Sequence, residues 1–206
     1  MKIAVTGSVA TDHLMTFPGR FADSIVAGSI ENISLSFLVD ELDVRRGGVG
    51  ANITFGMGVL GLTPILIGAV GRDWDDYNSW LTRHGVDTSS VKVSKTQLTA
   101  SFTVTTDKEL NQIASFYPGA MSEARDIELG PIIDKYGGID LVVIAPDNPD
   151  AMVRHTKECR HRGVDFATDP SQQLARLDGE VIKTLIDGAK YLFLNEYEMA
   201  LALQKT

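Results

Sequence analysis

The amino-acid sequence predicts an α/β fold of three layers, a central, mostly parallel sheet between helices, with a small β-sheet lid over one edge. Three observations predict it. From residue 141 onward, short apolar runs alternate with stretches of helical length, the pattern of βαβ units with right-handed crossovers. Two inserted segments, near residues 14–46 and 97–118, carry features of half-exposed antiparallel strands. Between them, Gly47-Gly48-Val49-Gly50 breaks the strand pattern just before an apolar helix.

Taken in order, residues 3–6 form a short apolar run ending at Gly7-Ser8, which reads as a buried first strand and a turn. Residues 32–46 are rich in β-branched and aromatic types and read as a hairpin or a pair of strands. Residues 51–60 place apolar side chains at helical spacing, with Gly61 as the stop. Residues 65–71 are a second buried strand, and residues 73–85 a helix that Gly85 ends. Residues 98–106 alternate at period two, and residues 113–117 are the partner across a turn at 107–111. Then come strand 141–145, helix 149–162, strand 165–168, helix 179–188, strand 191–194 and helix 196–204. A small sheet built from the two insertions would cover the carboxyl ends of the main strands, where open α/β folds bind ligands.

Composition narrows the function. The 206 residues are 44% apolar and 22% charged, enough for a real core. The formal net charge of -8, with no local Lys/Arg run, argues against a nucleic-acid partner. No apolar stretch is long enough to span a bilayer, and the N-terminus lacks the pattern of a signal peptide, so the expected setting is cytoplasmic. The single cysteine, Cys159, excludes an internal disulfide and a cysteine metal cluster, and reads as a thiol in a reducing compartment. His13, His84, His155 and His161 have no metal-ligand spacing, and Phe55, Trp74 and Trp80 read as core.

Four constellations could carry chemistry. Gly47 to Asn52 is a glycine turn before a helix, where backbone can approach a ligand and the Asn52 amide can both donate and accept; a plain turn accounts for it equally well. It lacks the Lys-Ser/Thr of a Walker loop and the third glycine of a dinucleotide fingerprint. Ser8 and Asp12 follow the first strand, and a carboxylate there can accept both hydroxyls of a vicinal diol, or merely cap a turn. Asp169, Gln172 and Gln173 follow a later strand, where amides could read a base edge or hydroxyls, or line a solvated loop. Asn195 and Glu198 fit a capping box, and alternatively hard oxygen donors for a hydrated Mg²⁺ and phosphate.

The segments GSVATD (7–12), RGGVGAN (46–52), IGAVGRDWDDY (67–77), HGVDTSSV (84–91) and LNEYE (194–198) together resemble the ribokinase-like (PfkB) carbohydrate and nucleoside kinases, in order and spacing, across residues 1–206. The stretches TGSVATDHLMTFPGRF (6–21), ISLSFLVDEL (33–42), QIASFYPGAMSEAR (112–125) and DPSQQLARL (169–177) look like the actinobacterial type of adenosine kinase. The resemblance implies a ribokinase-like fold and transfer of phosphate from MgATP to the ribose 5′-hydroxyl of adenosine, giving AMP. It implies that Asp12 holds the ribose hydroxyls beside Asn52 and the Gly48 backbone. Ser8, Gln172 and Gln173 would contact base or ribose, and Phe102 would stack on the ligand. Phe116 would cover the neighbouring subunit's site in a homodimer paired through the lid strands. Asn195 and Glu198 would face ATP, with Glu198 reaching Mg²⁺ through water. The family's Gly-Ala/Val-Gly-Asp segment, which supplies the catalytic base and the anion hole, is expected beyond residue 206, so no catalytic residue is assigned within the chain and Asp12 is not the base. By this reading residues 1–206 are the N-terminal part of a single kinase domain. Two alternatives stand beside it: another sugar or nucleoside kinase of the family, and a nucleoside-binding fragment that transfers no phosphate.

Overall fold

In the computed structural model, which describes residues 1–24 and 34–206, the strands are, in chain order, Ile3–Thr6 (β1), Ala10–Thr16 (β2), Glu41–Gly47 (β3), Ile65–Ile67 (β4), Ala69–Val70 (β5), Lys92–Val93 (β6), Ala100–Thr106 (β7), Gln112–Tyr117 (β8), Leu141–Ile144 (β9), Phe166–Thr168 (β10) and Tyr191–Leu192 (β11). The helices are Phe21–Ser24 (α1), Val49–Val59 (α2), Asp75–Arg83 (α3), Leu129–Lys135 (α4), Pro149–Arg162 (α5), Gly179–Ile186 (α6) and Glu196–Lys205 (α7), with 3₁₀ turns at Gly119–Asp126 and Ser171–Ala175.

The main sheet is all parallel, in the order β11-β10-β9-β1-β4. Strands β10, β9, β1 and β4 are apolar at nearly every position because both faces are covered, as parallel sheets require, while the edge strand β11 is exposed. On one face Ala4, Ile67, Val142, Ile144 and Phe166 pack against Leu129 and Ile133 of α4 and Met152 and Cys159 of α5. On the other, Ile3, Val5, Val143 and Ala167 meet Ile53 and Met57 of α2. Burying a side chain such as Phe166, 1% exposed, contributes about 2–3 kcal/mol. Helix α5 has both ends specified: the Asn148 side chain accepts from the Asp150 and Ala151 N–H groups, and Gly163 closes the helix at φ 65°.

The second sheet has the order β3-β2-β7-β8. Its outer pairs are antiparallel, but β2 and β7 run parallel, so the sheet is mixed where the sequence suggested antiparallel strands. The sequence offers Asp12 as a possible turn cap and starts the inserted strands near residue 14; the strand in fact begins at Ala10, follows β1 almost directly and pairs on both sides. Of the hairpin expected over 32–46, the described residues hold one strand, β3; residues 34–40 form none, and positions 32 and 33 lie outside the described residues. The strand expected at 65–71 divides at Gly68, β4 joining the main sheet and β5 pairing with β6. Helix α4 and the Gly119–Asp126 turn are not expected from the sequence, because such short spans give little periodicity.

Candidate functional site

The carboxyl end of β1 runs through Gly7-Ser8-Val9 into β2, and this short link fastens the two sheets together. The Ser8 N–H donates to the Pro146 carbonyl at 2.9 Å, tying it to the end of β9. Ser8 Oγ accepts from the Val49 N–H at 3.1 Å and its carbonyl accepts from the Ala51 N–H at 3.3 Å, tying it to the start of α2. Gly48 holds φ 89°, and a Cβ on it would stand 2.6 Å from Ser8 O, Val9 Cα and Ala10 N. Only glycine fits there.

Strand register then sets the side chains. Asp12 lies opposite Arg45 on β3 and Phe102 on β7, and Phe102 lies opposite Phe116 on β8. Asp12, Phe102 and Phe116 therefore form one row across the sheet. Arg45 turns to Asp43, leaving Asp12 without that partner. Among the described residues no group donates a hydrogen bond to the Asp12 carboxylate. Burial pushes its pKa up, against the lowering effect of neighbouring His13. A half-buried carboxylate with free lone pairs is a ready acceptor for ligand hydroxyls. Asn52, exposed in the first turn of α2, has a side-chain amide that is likewise unbonded among the described residues. Ser8, Gly48 and Asn52 lie at or beside the turn into α2, Asp12 contacts that turn at Gly47, and Phe102 and Phe116 continue the Asp12 row outward across the second sheet.

A second group lies farther along the carboxyl edge. Gln172, Asn195 and Glu198 line a groove of about 520 Å³ with Ser171, Tyr197 and Leu201. Asn195 and Glu198 make the reciprocal capping box: Asn195 Oδ1 accepts from the Glu198 N–H at 2.8 Å and Glu198 Oε2 from the Asn195 N–H at 3.0 Å. Asp169 stands close enough that, after burial, the Glu198 charge helps raise its pKa, while the Ser171 N–H works against both. Two acidic groups beside each other offer hard oxygen to a hydrated cation. Among the described residues no cluster of three His, Cys, Asp or Glu is placed to hold a metal ion. Gln173 parts from Gln172: its Nε2 donates to the Asp147 carbonyl at 3.2 Å.

Asp147 is the residue that sequence reasoning missed. It follows β9 and is 3% exposed; Oδ1 accepts from the Asn148 N–H at 2.8 Å, while Oδ2 is buried without a partner. Burial pushes its pKa up to about 7, against the lowering effect of that Asn148 bond. In sequence it sits between Pro146 and Asn148, a context that reads as a turn or cap.

Among the described residues no helix is long and apolar enough to cross a membrane. A family model described as "pfkB family carbohydrate kinase" matches residues 6–206. A nucleoside kinase from Burkholderia thailandensis, solved in complex with inosine, is 35% identical and superposes with a TM-score of 0.81 over 99% of this chain and 64% of that one. Its complex with ADP-inosine aligns at 34% identity and a TM-score of 0.77, over 98% of this chain and 63% of that one. A nucleoside kinase from Methanocaldococcus jannaschii is 28% identical over 154 residues, 74% of this chain and 49% of that protein. The chain spans about half the length of the curated relatives it matches.

Proposed function

The chain belongs to the pfkB family of carbohydrate kinases, and from that premise we propose that it is the acceptor-binding part of a nucleoside kinase, with adenosine as acceptor and MgATP as phosphate donor. The observation that carries the reading is the Asp12 carboxylate. It is half-buried, free of donors among the described residues, in one row with Phe102 and beside the Gly48 turn. In this reading Asp12 accepts two hydrogen bonds from the ribose hydroxyls, each charge-assisted. Asn52 and the Gly48 backbone flank it, with Ser8 behind, and Phe102 presents a ring to the nucleoside.

For adenosine rather than a sugar, the support is the aromatic row and the Gln172 amide in the groove; Gln173, expected to join it, gives its Nε2 to the Asp147 carbonyl. The relative solved with inosine makes a purine riboside the natural comparator. Asn195 and Glu198 would face the phosphates, and Glu198 would hold Mg²⁺ through water; when bound, that ion would offset phosphate charge. The partner proposed is a second copy joined through the second sheet. Support for it is Leu42, Val44 and Ile113, 56%, 55% and 46% exposed, on the face opposite the Asp12 row. Phe116, 52% exposed, lies on the Asp12 face at the β8 edge, and in this reading it extends past that edge toward the partner's site.

Calorimetric titration of this chain with adenosine, inosine and ribose tests the substrate. Adenosine should bind at least about tenfold tighter than ribose, the worth of one stacked base. Ribose binding equal to or better than adenosine would replace the nucleoside with a free sugar, and tighter inosine binding would replace adenosine.

A further inference from the structure

The turn that brings Gly48 to the site has two adjacent glycines and no side chain of its own to fix it. It must be held from outside. One hold is Ser8, already described. The other comes from α3. Tyr77 is 6% exposed and packs among Val9, Ala51, Leu66 and Val70. Its hydroxyl donates to the Gly47 carbonyl at 2.9 Å, a buried bond between positions 30 residues apart. The adjoining Arg46 is held by the same helix. Its guanidinium reaches Asp76 at 2.5 Å, lies 5.1 Å from the Trp80 ring and 6.0 Å from the Tyr77 ring. Trp80 is in turn stacked on Phe55 of α2, with centroids 4.1 Å apart. Residues 46 and 47 are thus gripped by three side chains of one helix turn, just before the turn residue Gly48.

Asp12 depends on that grip. Its carboxylate rests on the Cα of Gly47, and a Cβ there would stand 2.5 Å from Oδ2. The Tyr77 hydroxyl is near enough to feel the Asp12 charge. Burial foremost raises its pKa, and Asp12 adds to the rise while Arg46 opposes it, so it stays protonated and a donor. Its hydrogen goes to the Gly47 carbonyl and not to Asp12, which keeps the carboxylate open to a ligand.

We infer that Tyr77 is a positioning residue for nucleoside recognition: through the Gly47 carbonyl it holds the turn against which Asp12 is set, without touching the ligand itself. This rests on the nucleoside reading above. Tyr77→Phe removes the hydroxyl and keeps the ring. The test compares adenosine with 2′,3′-dideoxyadenosine on this chain, by saturation-transfer titration, which also reads weak binding, with thermal unfolding in parallel. Tyr77→Phe should weaken adenosine about five- to tenfold, the equivalent of one hydrogen bond, and leave the dideoxy analogue unchanged. Equal loss for both ligands, or no loss for either, overturns the positioning role while leaving the nucleoside reading intact. Failure of the unaltered chain to bind adenosine overturns the nucleoside reading and this role with it. Should Tyr77→Phe not fold, Arg46→Ala, which loosens the grip from its exposed side, is read by the same comparison.

Discussion

The Asp12 carboxylate and the α-carbon of Gly47 are in such close contact that a single methyl group on Gly47 would stand 2.5 Å from Oδ2, 2.8 Å from Oδ1 and 2.8 Å from Cγ. Each of these atoms belongs to the far end of a side chain that can rotate, so the contact is a constraint on where Asp12 points more than on whether the protein folds.

Gly47→Ala should therefore separate binding from stability. The carboxylate swings away, nucleoside affinity falls about tenfold or more, and the Tm moves by no more than about 2 °C. Gly48→Ala is the contrast. Its φ of 89° and the three backbone atoms at 2.6 Å leave no room to yield, and a loss of about 2 kcal/mol or more in chemical denaturation is expected.

Phe102→Ala tests the aromatic row. Removal of a stacked ring should cost adenosine about 1–3 kcal/mol of binding, read by calorimetry, and leave any ribose binding within about twofold. An equal loss for ribose would mean that the ring shapes the sheet and does not meet the base.

Asp147 gives a pH dependence with a definite sign. Its carboxyl titrates near 7 in the folded protein and near 3.8 when solvated. The folded state therefore holds a proton that the unfolded state releases, and stability is lost as pH rises from about 4 to 7. Asp147→Asn removes the charge and keeps the acceptor for the Asn148 N–H. Urea unfolding should show it more stable by about 1–3 kcal/mol at pH 8 and indistinguishable at pH 4.

His155 should show the opposite slope. It lies buried in α5, with Nε2 3.2 Å from the Ile127 carbonyl oxygen. Burial pushes its pKa down to about 4; that bond works against the shift, and Arg154 adds to it. An unfolded imidazole takes a proton near 6.5, so stability falls as pH drops from about 6.5 to 4, by up to about 3 kcal/mol. Nuclear magnetic resonance should find this ring neutral at pH 5, and His155→Gln should flatten the difference in stability between pH 7 and pH 5.

Much of the scaffold is legible in the sequence. The runs at Ile3–Thr6, Leu141–Ile144 and Phe166–Thr168 are apolar at almost every position, which only a doubly covered parallel strand tolerates, and the helices between them carry their own stops. Asn195 and Glu198 announced their capping box by spacing alone. Residues 10–16 were less legible. Asp12, His13 and Thr16 weaken the strand pattern, and what makes them a strand is pairing on both sides with segments about 30 and 90 residues away.

The sequence by itself determined the layered α/β scaffold and the family resemblance, because periodicity, turn chemistry and motif spacing are read along the chain. Only the tertiary structure decided that Asp12 and Phe102 share a row, that Gln173 turns to the Asp147 carbonyl while Gln172 lines the groove, and that Tyr77 holds the Gly47 turn. Those relations are set by cross-strand register and by packing between distant segments, and neither leaves a mark on any short stretch of sequence. Asp147 makes the same point chemically: an acidic side chain after a strand looks like any turn residue until burial takes away its water.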